Sequence, residues 1–135
     1  MREGTAVGLD VHAGLERLCE TIERRSGLVV RPQLGDGLDR LPADVATAVY
    51  RIVEEALGNV VRHAGARSAS VTAAIIGEQL VVTVEDDGQG FAPGSMGHGV
   101  EGMIERARMV AGRVDLESPA GGGARVRFET HVEAA

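Results

Sequence analysis

The sequence predicts an α/β two-layer sandwich, a mixed and mainly antiparallel sheet of about five strands covered on one face by three helices. Three observations predict it. Stretches with apolar residues at helical spacing stand near both ends and in the middle of the chain. Two β-rich stretches, "RSASVTAAIIG" and "EQLVVTVEDDG", are separated by Gly77 and form a hairpin pattern. The resulting order, helix, strand, helix, hairpin, helix, hairpin, places the helices together on one side of a sheet. With 135 residues and 44% hydrophobic content, the chain suffices for one compact domain with one core.

Each element has its own signal. Residues 1–9 are expected to be a flexible start or a remnant of expression, and 10–133 a single domain. "DVHAGLERLCETIERRSG" has Asp10 at an N-cap, amphipathic spacing and a closing Gly27. "LVVRPQL" is a short strand and "GDGLDR" a loop. "LPADVATAVYRIVEEALGNVVRHAG" begins with Pro42 near its first turn and runs as a helix to Gly65. After the hairpin, "FAPGSMGHG" is a loop and "VEGMIERARMVAG" a third helix closed by Gly112. "RVDLES", the turn "PAGGG" and "ARVRFETHV" form the last hairpin.

Composition excludes several functions. Twenty acidic residues face 14 basic ones, a net charge of −6, which argues against a general grip on nucleic acid through phosphate neutralisation. All basic residues are arginine, and without lysine there is no G-x-x-x-x-G-K-S/T phosphate loop. Cys19 cannot form an internal disulfide; it falls in step with Leu15, Leu18 and Ile22 and is expected to be a reduced core thiol. No apolar run approaches the roughly 18–20 residues that span a bilayer, and no signal-peptide pattern opens the chain, so direct membrane contact is not expected and the location is expected to be cytoplasmic.

The second helix carries a polar stripe. At roughly 100° per residue, Val45, Ala48, Val49, Ile52, Val53, Ala56 and Val60 share one face. Glu54 points away from it, a surface charge. Glu55 lies at the border and Asn59 roughly 40° nearer the apolar centre, so their oxygens, at i and i+4, aim at the same space. Two readings stay open: a ligand site, or a structural role in which Glu55 pairs with Arg51 or Arg62 and Asn59 satisfies a loop carbonyl. His63 points toward the apolar centre, as a neutral core histidine. In the hairpin, Leu80, Val82, Val84 and Asp86 share the buried side. A carboxylate there needs donors, and Gly88 and Gly90 leave bare backbone beside it for a flat ligand; a tight Asp-Gly turn with a solvated Asp is the alternative. "GHGVEG" satisfies G-x-G-x-x-G at a helix start, an anion site by its free N–H groups and dipole. A loop, not a strand, precedes it, and the acidic residue of a dinucleotide site is missing, which excludes NAD.

Taken together, "EEALGNVVRHA", "DDGQG", a short loop, "GHGVEGM" and "GGGARVRF" resemble the GHKL ATPase superfamily, shared by gyrase, heat-shock chaperones, mismatch-repair ATPases and histidine kinases. "YRIVEEALGNVVRHAG" with "GHGVEGMIERARMVAGRVDLESPAGGG" resembles the catalytic domain of nitrate- and oxygen-sensor type histidine kinases, over nearly the whole chain. The resemblance implies ATP and Mg²⁺ as cofactors. It matches Asn59 to the Mg²⁺-ligating asparagine, and Glu55 to the glutamate that polarises water in ATP-hydrolysing relatives or holds a metal-bound water in kinases. It matches Asp86 to the acceptor for the adenine amino group, with Gly88 and Gly90 flanking the base. Arg62 would reach a phosphate. Gly97, Gly99, Val100 and the N–H groups that follow would cradle phosphates, with His98 an added contact; His63 belongs to the same nucleotide-binding set.

Two departures stand out. Ala124 occupies the position of a usual threonine, and the loop from Gly90 to Gly97 is shorter than most lids, which implies weak, Mg²⁺-dependent ATP binding. The four histidines precede Ala, Ala, Gly and Val, none in the expected acceptor context. The implied partner is therefore a dimerisation domain bearing the acceptor histidine, with a response regulator served indirectly. The alternatives are a stand-alone anti-sigma-factor serine kinase and an interaction module without nucleotide.

Overall fold

A computed structural model describes residues 10–88, 98–118 and 122–133. The expected start at 1–9, the loop holding Gly90 and Gly97, and part of the turn "PAGGG" lie outside them.

The Asp10 side chain accepts the Ala13 N–H at 3.1 Å and caps helix α1 (Val11–Ser26), which ends at Gly27 with φ 80°. Val11, Leu15, Leu18 and Cys19 are buried along it, and burial pushes the Cys19 thiol up to about 11. Glu23 reaches from α1 to accept the Val30 N–H at 2.7 Å, fastening strand β1 (Val29–Leu34) to the helix layer.

A short 3₁₀ turn (Leu38–Arg40) leads to α2 (Ala43–Asn59), whose Val45, Ala48, Val49, Ile52, Val53 and Ala56 are buried as the spacing predicts. The helix expected to run to Gly65 is α-helical only to Asn59. Val60–Ala64 forms a π turn, and Gly65 follows at φ 61°. A π turn adds one residue to the hydrogen-bonded ring, a change too small to disturb apolar periodicity over so few residues.

The strands β2 (Ser68–Ile76) and β3 (Gln79–Asp86) form the first hairpin. Helix α3 (His98–Met109) starts two residues earlier than its periodicity suggests and packs on α2. Strands β4 (Arg113–Glu117) and β5 (Ala124–His131) complete a five-stranded sheet in the order β1-β2-β3-β5-β4. Among the described residues only β1 and β2 pair in parallel. Pro32 is accommodated because β1 is an edge strand, where a missing N–H costs no ladder bond.

The inner face of the sheet carries Val71, Leu80, Val82, Val84 and Phe128, all buried with the helices' apolar sides. Each such side chain contributes about 1.5–3 kcal/mol on burial. On the outer face Arg125 joins Glu85 at 3.1 Å and Glu117 at 2.9 Å, pairs that add little beside the core.

Candidate functional site

The end of α2 presents Glu55 and Asn59 one turn apart, and Arg62 follows on the same side three and seven residues later. The arginine folds back along the helix. Its Nη2 donates to Asn59 Oδ1 at 2.8 Å and to Glu55 Oε2 at 3.1 Å, so two side-chain oxygens converge on one cationic nitrogen. Of the two partners the sequence offered Glu55, the structure selects Arg62. Arg51 pairs instead with Glu54 at 3.0 Å, which leaves Glu54 on the surface as expected.

At the end of β3, the alternation that buries Leu80, Val82 and Val84 also buries Asp86, 8% exposed. Burial pushes its carboxyl pKa up; the backbone N–H groups of Gly88 and Ala124 oppose the rise, and the neighbouring Asp87 and Glu85 reinforce it. Gly88 donates to Asp86 Oδ1 at 2.7 Å. Asp86 is thus a buried carboxylate held by backbone donors, not the solvated residue of a simple turn.

Asp87, one residue on, faces the other way and has a different task. Its Oδ1 accepts the N–H groups of Arg67 at 2.9 Å and Ser68 at 3.0 Å, and its Oδ2 accepts the Ser68 hydroxyl at 3.0 Å. These bonds clamp the start of β2 and lower the Asp87 pKa. A lowered folded-state pKa contributes stability above the ordinary carboxylate range that is lost as pH falls through the lowered value. Asp87→Ala should therefore melt below the parent at neutral pH, with the two melting curves converging in acid; a constant difference across a pH series of thermal melts would contradict the clamp.

The turn before β5 completes this end of the sheet. Ala124 lies opposite Asp86 in the β3–β5 register. Gly123, at φ 85°, lies so close to β3 that an added Cβ would stand 2.0 Å from the Asp86 carbonyl oxygen. Sequence reasoning gave Asp87 and Gly123 no individual role. The consecutive glycines and the Asp-Asp pair were the available signals, but the contacts they make span tens of residues.

Val100 is buried in the first turn of α3. His63 lies in the π turn, and His98 and Gly99 open α3; their side chains, like Gly90 and Gly97 as a whole, fall outside what the structure describes. Among the described residues no three His, Cys, Asp or Glu side chains gather to hold a metal, and no helix is long and apolar enough to cross a membrane.

Sheet and helix layer match a defined class. Residues 44–134 match the family described as "Histidine kinase-, DNA gyrase B-, and HSP90-like ATPase", and the chain belongs to it. Within that family its similarity is to sensor histidine kinases. It is 34% identical over 128 residues to sensor histidine kinase YxjM of Bacillus subtilis (strain 168), covering 94% of this chain and 31% of that one. The chain thus spans about a third of that relative's length. Among solved structures, the histidine kinase domain of the Erythrobacter litoralis EL346 blue-light activated histidine kinase superposes with a TM-score of 0.78 at 24% identity. That match covers 90% of this chain and 61% of the other. Full-length ShkA in complex with AMPPNP superposes with a TM-score of 0.75 at 24% identity, over 94% of this chain and 31% of that one. Both likenesses under 25% identity speak to the fold.

Proposed function

We propose that this chain is the ATP-binding catalytic domain of a two-component sensor histidine kinase. It binds Mg·ATP and presents the γ-phosphate to a histidine on a dimerisation domain; a response regulator is served through that histidine. The reading rests first on Asp86, a buried carboxylate at the open end of the sheet. A carboxylate accepts about four hydrogen bonds, and among the described residues two backbone N–H groups donate to it. The remaining capacity suits the amino group of adenine, and would reject guanine, which presents an acceptor there. The AMPPNP bound by ShkA supports a nucleotide in this fold.

The donor set fits Mg²⁺. Asn59 Oδ1 and Glu55 Oε2 already hold a positive group between them, the Arg62 guanidinium. One protein oxygen on the ion and a second on one of its waters suit Mg²⁺, which keeps several waters and takes its other ligands from phosphates. Asn59 would ligate the ion and Glu55 would hold one of its waters; bound there, the ion would neutralise charge on the triphosphate. The protein's share of catalysis is positioning and charge complementarity: Asp86 fixes the base, and the N–H groups opening α3 complement phosphate charge. The loop between Gly90 and Gly97 is short, so affinity is expected to be weak.

Calorimetry with Mg·ATP tests the reading. Asn59→Ala should weaken Mg·ATP binding by about tenfold or more, whereas ATP in chelator should bind no more weakly than to the parent. Equal Mg·ATP affinities for the two proteins would remove the metal assignment. Transfer of label from γ-labelled ATP to a histidine on the dimerisation segment of the longer kinase tests the activity, and labelled serine on a separate protein would redirect it to the anti-sigma-factor kinase reading.

A further inference from the structure

We propose that Arg62 is a resident cation at the metal position: its guanidinium occupies the oxygens of Glu55 and Asn59 before nucleotide arrives, so that neither oxygen serves a free metal ion. The inference rests on the Mg·ATP reading above and extends it to the order in which the site accepts its ligands.

The geometry carries the argument. One nitrogen, Nη2, lies 2.8 Å from Asn59 Oδ1 and 3.1 Å from Glu55 Oε2, the oxygens assigned above to the ion and to one of its waters. An arginine keeps its proton at any pH a folded protein meets, so this cation leaves only by moving. Space beside it is provided by Gly58, where an added Cβ would stand 3.0 Å from Arg62 Nη1. The clasp is also built to open. The side chains of Arg62 and Glu55 are 54% and 37% exposed, and ion pairs at such exposure hold weakly.

Nucleotide phosphate is a stronger attractor for a guanidinium than one carboxylate in solvent, since it offers several charged oxygens to the same planar fork. When phosphate draws Arg62 away, Asn59 and Glu55 are released together. Metal and nucleotide then bind interdependently: each is disfavoured alone, and Arg62 couples them.

The test uses Mn²⁺ alone, with no nucleotide present, read as paramagnetic broadening of the Gly58 and Val60 backbone amide signals. Arg62→Met, and equally Arg62→Gln, should show this broadening at about fivefold lower Mn²⁺ than the parent. Adding Asn59→Ala to Arg62→Met should abolish the gain. Spectra that superpose away from the end of α2 verify the fold of each variant. Equal Mn²⁺ response in parent and Arg62 variants, or a gain that survives Asn59→Ala, overturns the proposal. Because no ATP is present, this failure is separate from failure of the Mg·ATP reading, which would show as Asn59-independent and Asp86-independent nucleotide binding in calorimetry.

Discussion

Asp86→Asn is expected to weaken ATP binding by about ten- to a hundredfold, the range of a lost hydrogen bond to a charged group, without lowering the melting temperature. The two effects part because of where the carboxylate sits. Asparagine keeps one oxygen, with two lone pairs, for the backbone N–H groups of Gly88, found at 2.7 Å in the parent, and Ala124, but presents an amide where adenine needs a charged acceptor. Burial raises the Asp86 pKa, so the folded chain binds that proton more tightly than the unfolded one. Such a group costs stability as pH rises from the ordinary carboxylate range through the raised value, and the cost is fully present above it. The uncharged amide removes it. ATP affinity of the parent should, by the same shift, fall with acidification at a higher pH than an ordinary carboxylate would give, and Asp86→Asn should lack that limb. Titration calorimetry across a pH series, paired with thermal melts, reads both quantities. An Asn variant that binds ATP as the parent does would remove Asp86 from the site.

Gly123→Ala is expected to be the most damaging single methyl addition at this end of the sheet, costing at least about 2 kcal/mol. Two penalties coincide there. The residue has φ 85°, disfavoured for any side chain, and the new Cβ would meet the Asp86 carbonyl at 2.0 Å, a backbone atom that cannot swing aside. Gly122 separates them: its φ is 99°, yet nothing lies within 4 Å of an added Cβ. Gly122→Ala should thus cost only the dihedral term, roughly 1–2 kcal/mol. Chemical denaturation of the two variants side by side gives the comparison, and equal losses would show that the close approach to Asp86 is unimportant. Gly123→Ala should also weaken ATP binding, because relief of the clash moves the backbone that carries Asp86.

Much of this architecture was legible in the sequence because the signals were periodic. Asp10 and Gly27 bounded α1, the apolar stripe of α2 fell where spacing placed it, and alternation along β3 put Asp86 on the inner face. The π turn at Val60–Ala64 was invisible, since no Gly or Pro marks it. The sequence narrowed the partner of Glu55 to Arg51 or Arg62; the choice depended on which way a long, flexible side chain folds. Asp87 and Gly123 were missed for another reason. What they touch, Arg67 and Ser68 in one case and the Asp86 carbonyl in the other, is brought near only by strand pairing.

The pairing of Asp86 with Ala124 also acts as a check on assembly. A slip of β3 by one residue would turn Asp86 to the outer face, and in the same movement would turn out Leu80, Val82 and Val84. A chain joined in the wrong frame therefore forfeits its core along with the nucleotide contact proposed for Asp86. Misassembled molecules that retain a stable fold but have a dead site are disfavoured by construction, and quality control by stability alone also screens for function.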